Sequence, residues 1–303
     1  MMLSMALRHS ERLHRLRAMN NADTDAQVLL PLTALRLWHT ELQRALAHID
    51  SPLALEHLAR ALGHLVPVES LMISVERKDL PPQLLYQQGI PEQHGDWMIK
   101  RYFSGGYLLD PFCLAVESGL AEGFYHLSEI APDDFFNSDY YKRYYLEIGC
   151  AEDSYYIVNL DSRSKISVSL FQGMGAQNLS AEQLNLLRAV QPLVGELLVQ
   201  FGRHWLQQNV AASEQALATE QTHAAVNQRI QTAFNNFGCS LLTEREREVA
   251  HMVLRGHSVK SAAYELAISP ETVRMHRKNL YLKLGINSQS ELFAQFIEWL
   301  RRG

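Results

Sequence analysis

The stretch that most constrains this chain is ISPETVRMHRKNLYLKLG, residues 268–285. Ser269 is a favourable N-cap, and Pro270 follows at the first helical position, where its missing N–H removes nothing the helix would use. Val273, Leu280 and Leu284 recur at helical spacing and predict one buried stripe. Arg274 and Lys278 lie one turn apart on the other side, joined by Arg277 and Lys283, with no acid between them. An apolar back with a cationic front suits a helix pressed into the DNA major groove. Phosphates attract such a face, and Arg or Lys reaches base edges.

The flanking segments complete a motif. Thr243 and Glu246 form a capping box at the start of a helix continued by Val249, Ala250 and Leu254, and Gly256 ends it. Ser258 opens a second helix through Ala262, Ala263 and Leu266, and Ala267-Ile268-Ser269 is a tight turn into the cationic helix. Helix, turn and helix in this order is helix-turn-helix geometry. A second capping box, Ser288 with Glu291, begins a last helix whose apolar positions are Leu292, Phe293, Phe296, Ile297 and Leu300.

Residues 241–303, from LTEREREVAHMVLRG to SQSEL and beyond, resemble the LuxR-type four-helix DNA-binding domain, with LTEREREV, ISPETV and KLG falling in the family's order. The resemblance implies that Arg274, Met275 and Lys278 face bases. It places Lys260, Thr272, His276, Arg277 and Tyr281 against phosphates. Val259 stands where Asn is usual, and Gln289 where Arg is common.

The charge distribution agrees. Net charge is −5 overall, but residues 241–303 carry ten Lys or Arg against seven acids, and the remainder is acidic. Positive charge is concentrated where the motif lies. No run of eighteen apolar residues exists, so the sequence predicts no membrane span. Arg8, Arg12, Arg15 and Arg17 punctuate a start without a continuous apolar core, unlike a secretory signal. Three scattered cysteines suit a reducing cytoplasm better than a disulfide framework or a zinc site.

The rest of the chain predicts an α+β fold: an N-terminal α/β sandwich sensor of the GAF or PAS kind, followed by the four-helix domain. The expected division is a flexible leader over 1–30, the sensor over 31–205, a helical linker over 206–238 and the DNA-binding domain over 239–303. Within the sensor, Leu35, Trp38, Leu42, Leu46, Leu55, Leu58 and Leu62 have helical spacing, interrupted at Ser51-Pro52. Residues 70–75 read as a strand, with 84–87 as its partner beyond Pro81-Pro82. Residues 154–160 and 166–171 read as an antiparallel hairpin. Ser180 with Gln183 caps a long helix carrying Leu184, Leu187, Val190, Val194 and Leu197, with Pro192 inside it.

The order of Trp97, Tyr102, Tyr107, Asp110 and Tyr125 is similar to the acyl-homoserine-lactone pocket of quorum-sensing LuxR-type receptors. That resemblance implies that Trp97 and Asp110 hydrogen-bond a ligand while tyrosines line its pocket. A capped turn at Asp110-Pro111 and a core-filling Trp97 account for the same residues. Phe135, Phe136, Tyr140, Tyr141, Tyr144, Tyr145, Tyr155 and Tyr156 form an aromatic cluster, with Tyr140, Tyr144 and Ile148 on one helical face. The cluster suits either a small polar ligand or a helix packed on the sheet with its hydroxyls at the surface.

No Gly-rich phosphate loop, HExxH, GxSxG or CxxC occurs, so no enzyme chemistry and no cofactor is expected. The sequence predicts a cytoplasmic, homodimeric transcriptional regulator that binds double-stranded DNA and responds to a small-molecule effector. RNA polymerase is a further expected partner. The alternative is a sensor that only dimerises or binds a partner protein.

Overall fold

The computed structural model describes residues 29–77, 82–90, 102, 105–117, 120–162, 164–173, 178–215, 232 and 235–302. The expected leader therefore lies almost wholly outside the described residues, and so does Trp97.

Helices α1 (Leu32–Ala47) and α2 (Leu53–Leu65) flank the break at Ser51-Pro52. They bury Trp38, Leu42, Leu55, Leu58 and Leu62, but Leu35 and Leu46 of the expected stripe are exposed. Strands β1 (Ser70–Arg77), β2 (Gln83–Gln88), β3 (Gly123–His126), β4 (Cys150–Asn159) and β5 (Ser164–Gly173) make one sheet in the order β2-β1-β5-β4-β3. Every pairing is antiparallel. The expected hairpin is β4–β5, its turn tightened by the Ser164 N–H donating to Asp161 Oδ1 at 2.7 Å.

Alternation along the strands gives the sheet two unlike faces. Leu71, Ile73, Val75, Phe124, Tyr156, Val158, Ile166, Val168 and Leu170 point to one side. There they join α1, α2 and the long helix α6 (Ala181–Gln215) in an apolar core. The one hydroxyl among these strand residues, on Tyr156, donates to the Leu187 carbonyl at 2.8 Å. Ser74, Glu76, Tyr125, Asp153, Tyr155, Ser167 and Ser169 alternate to the other side. That side is covered by the 3-10 turn Gly106–Leu109, α3 (Pro111–Glu117), α4 (Leu127–Ile130), the 3-10 turn Phe135–Asn137, α5 (Asp139–Tyr144) and the 3-10 turn Leu146–Ile148.

Two expectations change here. Tyr140 and Tyr144 stack at 4.6 Å on α5, but α5 ends at Tyr144, so Ile148 belongs to a separate turn. Gly149 follows at φ 80° and redirects the chain into β4. The tyrosine hydroxyls do not lie at the surface as a group: those of Tyr140 and Tyr156 are buried.

The C-terminal unit is four helices, α7 (Glu244–Leu254), α8 (Val259–Leu266), α9 (Pro270–Leu284) and α10 (Gln289–Arg302). The Thr243–Glu246 capping box forms with both hydrogen bonds. At α10 the Glu291 N–H donates to Ser288 Oγ at 3.1 Å, and the Glu291 carboxylate accepts from the Ser288 hydroxyl at 3.3 Å and from the Asn287 N–H at 2.9 Å rather than from the Ser288 N–H. Ala267 makes the turn into α9 in the left-handed region at φ 55°. Among the described residues, no helix is long and apolar enough to cross a membrane.

Candidate DNA interface and effector pocket

Helix α9 is seated by Val273 and Leu280, which are fully buried. Its entry is fixed by Ser269, whose Oγ accepts from the Thr272 N–H at 3.1 Å and lies 3.0 Å from Thr272 Oγ1. Arg274, Met275 and Lys278 project to solvent, as does Lys260 on the exposed side of α8. Thr272, His276, Arg277 and Tyr281 are half-buried along the rim. The Arg277 Nε–H donates to Tyr281 Oη at 3.1 Å, and the guanidinium sits 5.4 Å above the ring. This stacking fixes an otherwise floppy cation.

Lys283 leaves the expected cationic face. Its Nζ donates to Glu246 Oε2 at 2.7 Å, so it ties α9 to the cap of α7. Burial raises the Glu246 carboxyl, yet hydrogen bonds from Lys283 and Thr243 hold it below the usual range. One acid does reach the front: Glu271 accepts from Arg274 Nη1 at 3.0 Å. Both side chains are exposed, so the pair contributes little and yields readily to a phosphate or a base.

On the polar side of the sheet, Asp110 caps α3 with one oxygen, accepting the Phe112 N–H at 2.8 Å and the Cys113 N–H at 3.3 Å. Its other oxygen accepts from Tyr102 Oη at 3.0 Å. Burial pushes the Asp110 carboxyl up to about 6, although these hydrogen bonds pull it down. Asp153 is raised by burial and then by the charge of Asp110, and Glu76 is raised by burial. Glu76 Oε1 accepts from Tyr155 Oη and, at 3.0 Å, from Ser167 Oγ. Tyr107 meets Tyr102 edge-on at 6.4 Å, and Tyr125 donates to the Ala121 carbonyl at 3.1 Å. Phe112 stacks on Tyr155 at 4.4 Å. Two deeply buried oxygens, Tyr140 Oη and Asp153 Oδ1, have no hydrogen-bond partner among the described residues. A lone polar atom in such a place costs about 1–3 kcal/mol, which a ligand would recover.

Residues 240–295 match the family model for bacterial regulatory proteins of the luxR family. A putative HTH-type transcriptional regulator in the exeN 3' region of Aeromonas salmonicida is 32% identical over 193 residues, 63% of this chain and 94% of that protein. The chain belongs to the luxR family. UhpA of Escherichia coli is 51% identical over 57 residues, 19% of this chain and 29% of UhpA. The crystal structure of the VqsR LBD domain from Pseudomonas aeruginosa is similar with a TM-score of 0.49 and 29% identity, over 55% of this chain and 97% of that one.

In this LuxR-family chain, the structure gathers the eight residues expected to meet DNA on α8 and α9. Of those expected to meet an effector, it gathers Tyr102, Tyr107, Asp110 and Tyr125 beneath one face of the sheet. Glu76 and Asp153 escaped the sequence reading, and Tyr140 was seen only as one of a cluster. The signal available was the alternation of polar residues on β1, β4 and β5, which ordinarily marks a solvated face.

Proposed function

We propose that this chain is a homodimeric, cytoplasmic transcription factor whose sensor, over 31–205, binds a small molecule. The linker over 206–238 then passes its state to a DNA reader over 239–303. Arg274, Met275 and Lys278 read bases, while Lys260, Thr272, His276, Arg277 and Tyr281 hold phosphates. Two such readers separated by about 34 Å, one duplex turn, would read a pseudo-palindrome. RNA polymerase is the partner such a regulator would engage at a promoter. No catalytic step is assigned.

The observation that carries the effector reading is the pair of partnerless buried oxygens, Tyr140 Oη and Asp153 Oδ1, in a layer that also holds Asp110 and Glu76. Oxygen acceptors at this density favour a ligand whose polar end donates hydrogen bonds, such as an amide N–H or an ammonium. Tyr102, Tyr107 and Tyr125 supply its aromatic wall, and Trp97 joins the set by resemblance. The same aromatic packing, with Tyr140 stacked on Tyr144, favours the second reading, a self-filled sensor that binds only protein.

Native mass spectrometry of the full chain, followed by thermal shift against a panel of metabolites and acyl-lactones, separates the two. A co-purifying molecule, or a shift abolished by Asp110→Ala, supports the effector reading. An empty protein that no compound shifts and that still binds DNA as a dimer supports the second. For the reader, Lys278→Ala should weaken binding to a selected operator by about 1–3 kcal/mol and relax preference at one base position. A uniform loss on all duplexes would assign Lys278 to phosphate instead.

A further inference from the structure

Among the described residues, a short segment, residues 133–143, joins the sensor to the DNA-binding unit. The Ser258 N–H donates to Asp133 Oδ1 at 3.0 Å, and the Ser258 hydroxyl donates to Asp133 Oδ2 at 2.5 Å. Burial raises the Asp133 carboxyl, but these two bonds and the nearby His257 hold it below the ordinary carboxylate range. Alongside, the Asp134 N–H donates to the Gly256 carbonyl at 3.0 Å. A second contact lies at α10, where Ser290 Oγ donates to Asp139 Oδ2 at 3.0 Å and the Arg143 guanidinium sits 5.7 Å from the Phe293 ring centre. Gly256 permits the approach. Its φ is +87°, and a Cβ there would come within 2.7 Å of Phe135 Cα.

Ser258 is the N-cap of α8, the first helix of the helix-turn-helix. In that motif the second helix enters the groove while the first crosses the phosphate backbone. A helix N-terminus with a capping hydroxyl favours an anion, through its N–H groups and its dipole. Lys260 is exposed two residues further along. In this chain an anion already sits there, bound through both its oxygens, and it comes from the sensor. We propose that Asp133 is an intramolecular phosphate surrogate: it occupies the backbone-contacting end of α8, so that the sensor and DNA compete for the same place. The segment that carries it is anchored in the effector layer. Phe135, fully buried, lies 6.1 Å from Tyr140 and 5.8 Å from Tyr145 ring to ring. Rearrangement of those rings around a ligand would move Asp133.

The proposal rests on the DNA-binding reading and not on any particular operator, so it is tested with a random-sequence 30-base-pair duplex. Full-length wild type, Asp133→Asn and Asp139→Asn are titrated across a salt series, while hydrogen exchange follows the peptide over 256–262. Asp133→Asn should expose that peptide to faster exchange. It should also bind the duplex about threefold to tenfold more tightly at low salt, with the log–log salt slope steeper by about one. Asp139→Asn should loosen docking with a smaller gain in affinity, since Ser290 is not part of the anion site. Faster exchange with unchanged or weaker duplex binding overturns the proposal. So does unchanged exchange with unchanged binding, because Asp133 would then hold nothing. If neither wild type nor either variant binds any duplex, the DNA-binding reading fails first and takes the proposal with it.

Discussion

The two faces of the one sheet obey opposite rules. On the side of α1, α2 and α6, the residues of the central strands, from Leu71 to Leu170, are apolar and buried, and the buried Tyr156 hydroxyl finds a carbonyl. On the other side stand Ser74, Asp153, Ser167 and Ser169, equally covered, and the half-buried Glu76, with Asp110 in the helical layer that packs on that side. The first face contributes stability; the second gives some of it back. Buried carboxyls and unbonded hydroxyls persist only where something besides folding keeps them, which is the reason to look for function there.

That comparison can be broken at three points. Leu170→Ala on the apolar face should destabilise the chain by about 2–5 kcal/mol in urea unfolding, because a fully buried side chain leaves a cavity behind. A loss under 1 kcal/mol would show that this core is loosely packed.

Asp110→Asn should do the reverse. Folded, the Asp110 carboxyl keeps its proton up to about pH 6, whereas its ordinary pKa is 3.8. The native state therefore binds more protons than the unfolded state between these values. Stability falls as pH rises through that window and is level above it. Asparagine keeps one acceptor oxygen for the α3 cap and offers its NH2 to Tyr102 Oη, which then accepts; it should gain up to about 3 kcal/mol over wild type at pH 7.5 and nothing at pH 3.5. An equal difference at both pH values would show that ionisation is not the cause. The smallest effect is Tyr140→Phe, which removes a buried unbonded hydroxyl and should stabilise the effector-free chain by about 1 kcal/mol. If that hydroxyl binds an effector, the same change weakens the ligand-induced thermal shift.

The contrast also explains what the sequence disclosed. Caps and turns were legible because their chemistry is local: Thr243 with Glu246, Ser180 with Gln183 and Ser269 with Thr272 lie three residues apart and bond as expected. Four of the five strands were legible, β4 and β5 as β-branched and aromatic runs, while the short β3 (Gly123–His126) was not expected. Which face of the sheet a second layer would cover is a long-range fact, so Glu76 and Asp153, each one position outside the strands expected over 70–75 and 154–160, did not stand out. Lys283 shows the same limit on the DNA side, since spacing put it with Arg274 and Lys278 while its partner Glu246 lies 37 residues away. Trp97, the strongest residue of the lactone-pocket resemblance, lies outside the described residues.

Phe135 belongs to two neighbourhoods, the tyrosines beneath the polar face of the sheet and the glycine at the end of α7. A side chain shared in this way makes the traffic two-way. Whatever factor an effector contributes to releasing the reader, DNA must contribute to the affinity for that effector, since the two bindings close one thermodynamic cycle. On the gating proposed above, a promoter fragment added to this protein acts as a ligand of its sensor. An effector affinity measured on DNA-free chain would, on that proposal, understate the affinity on the chromosome by the same factor.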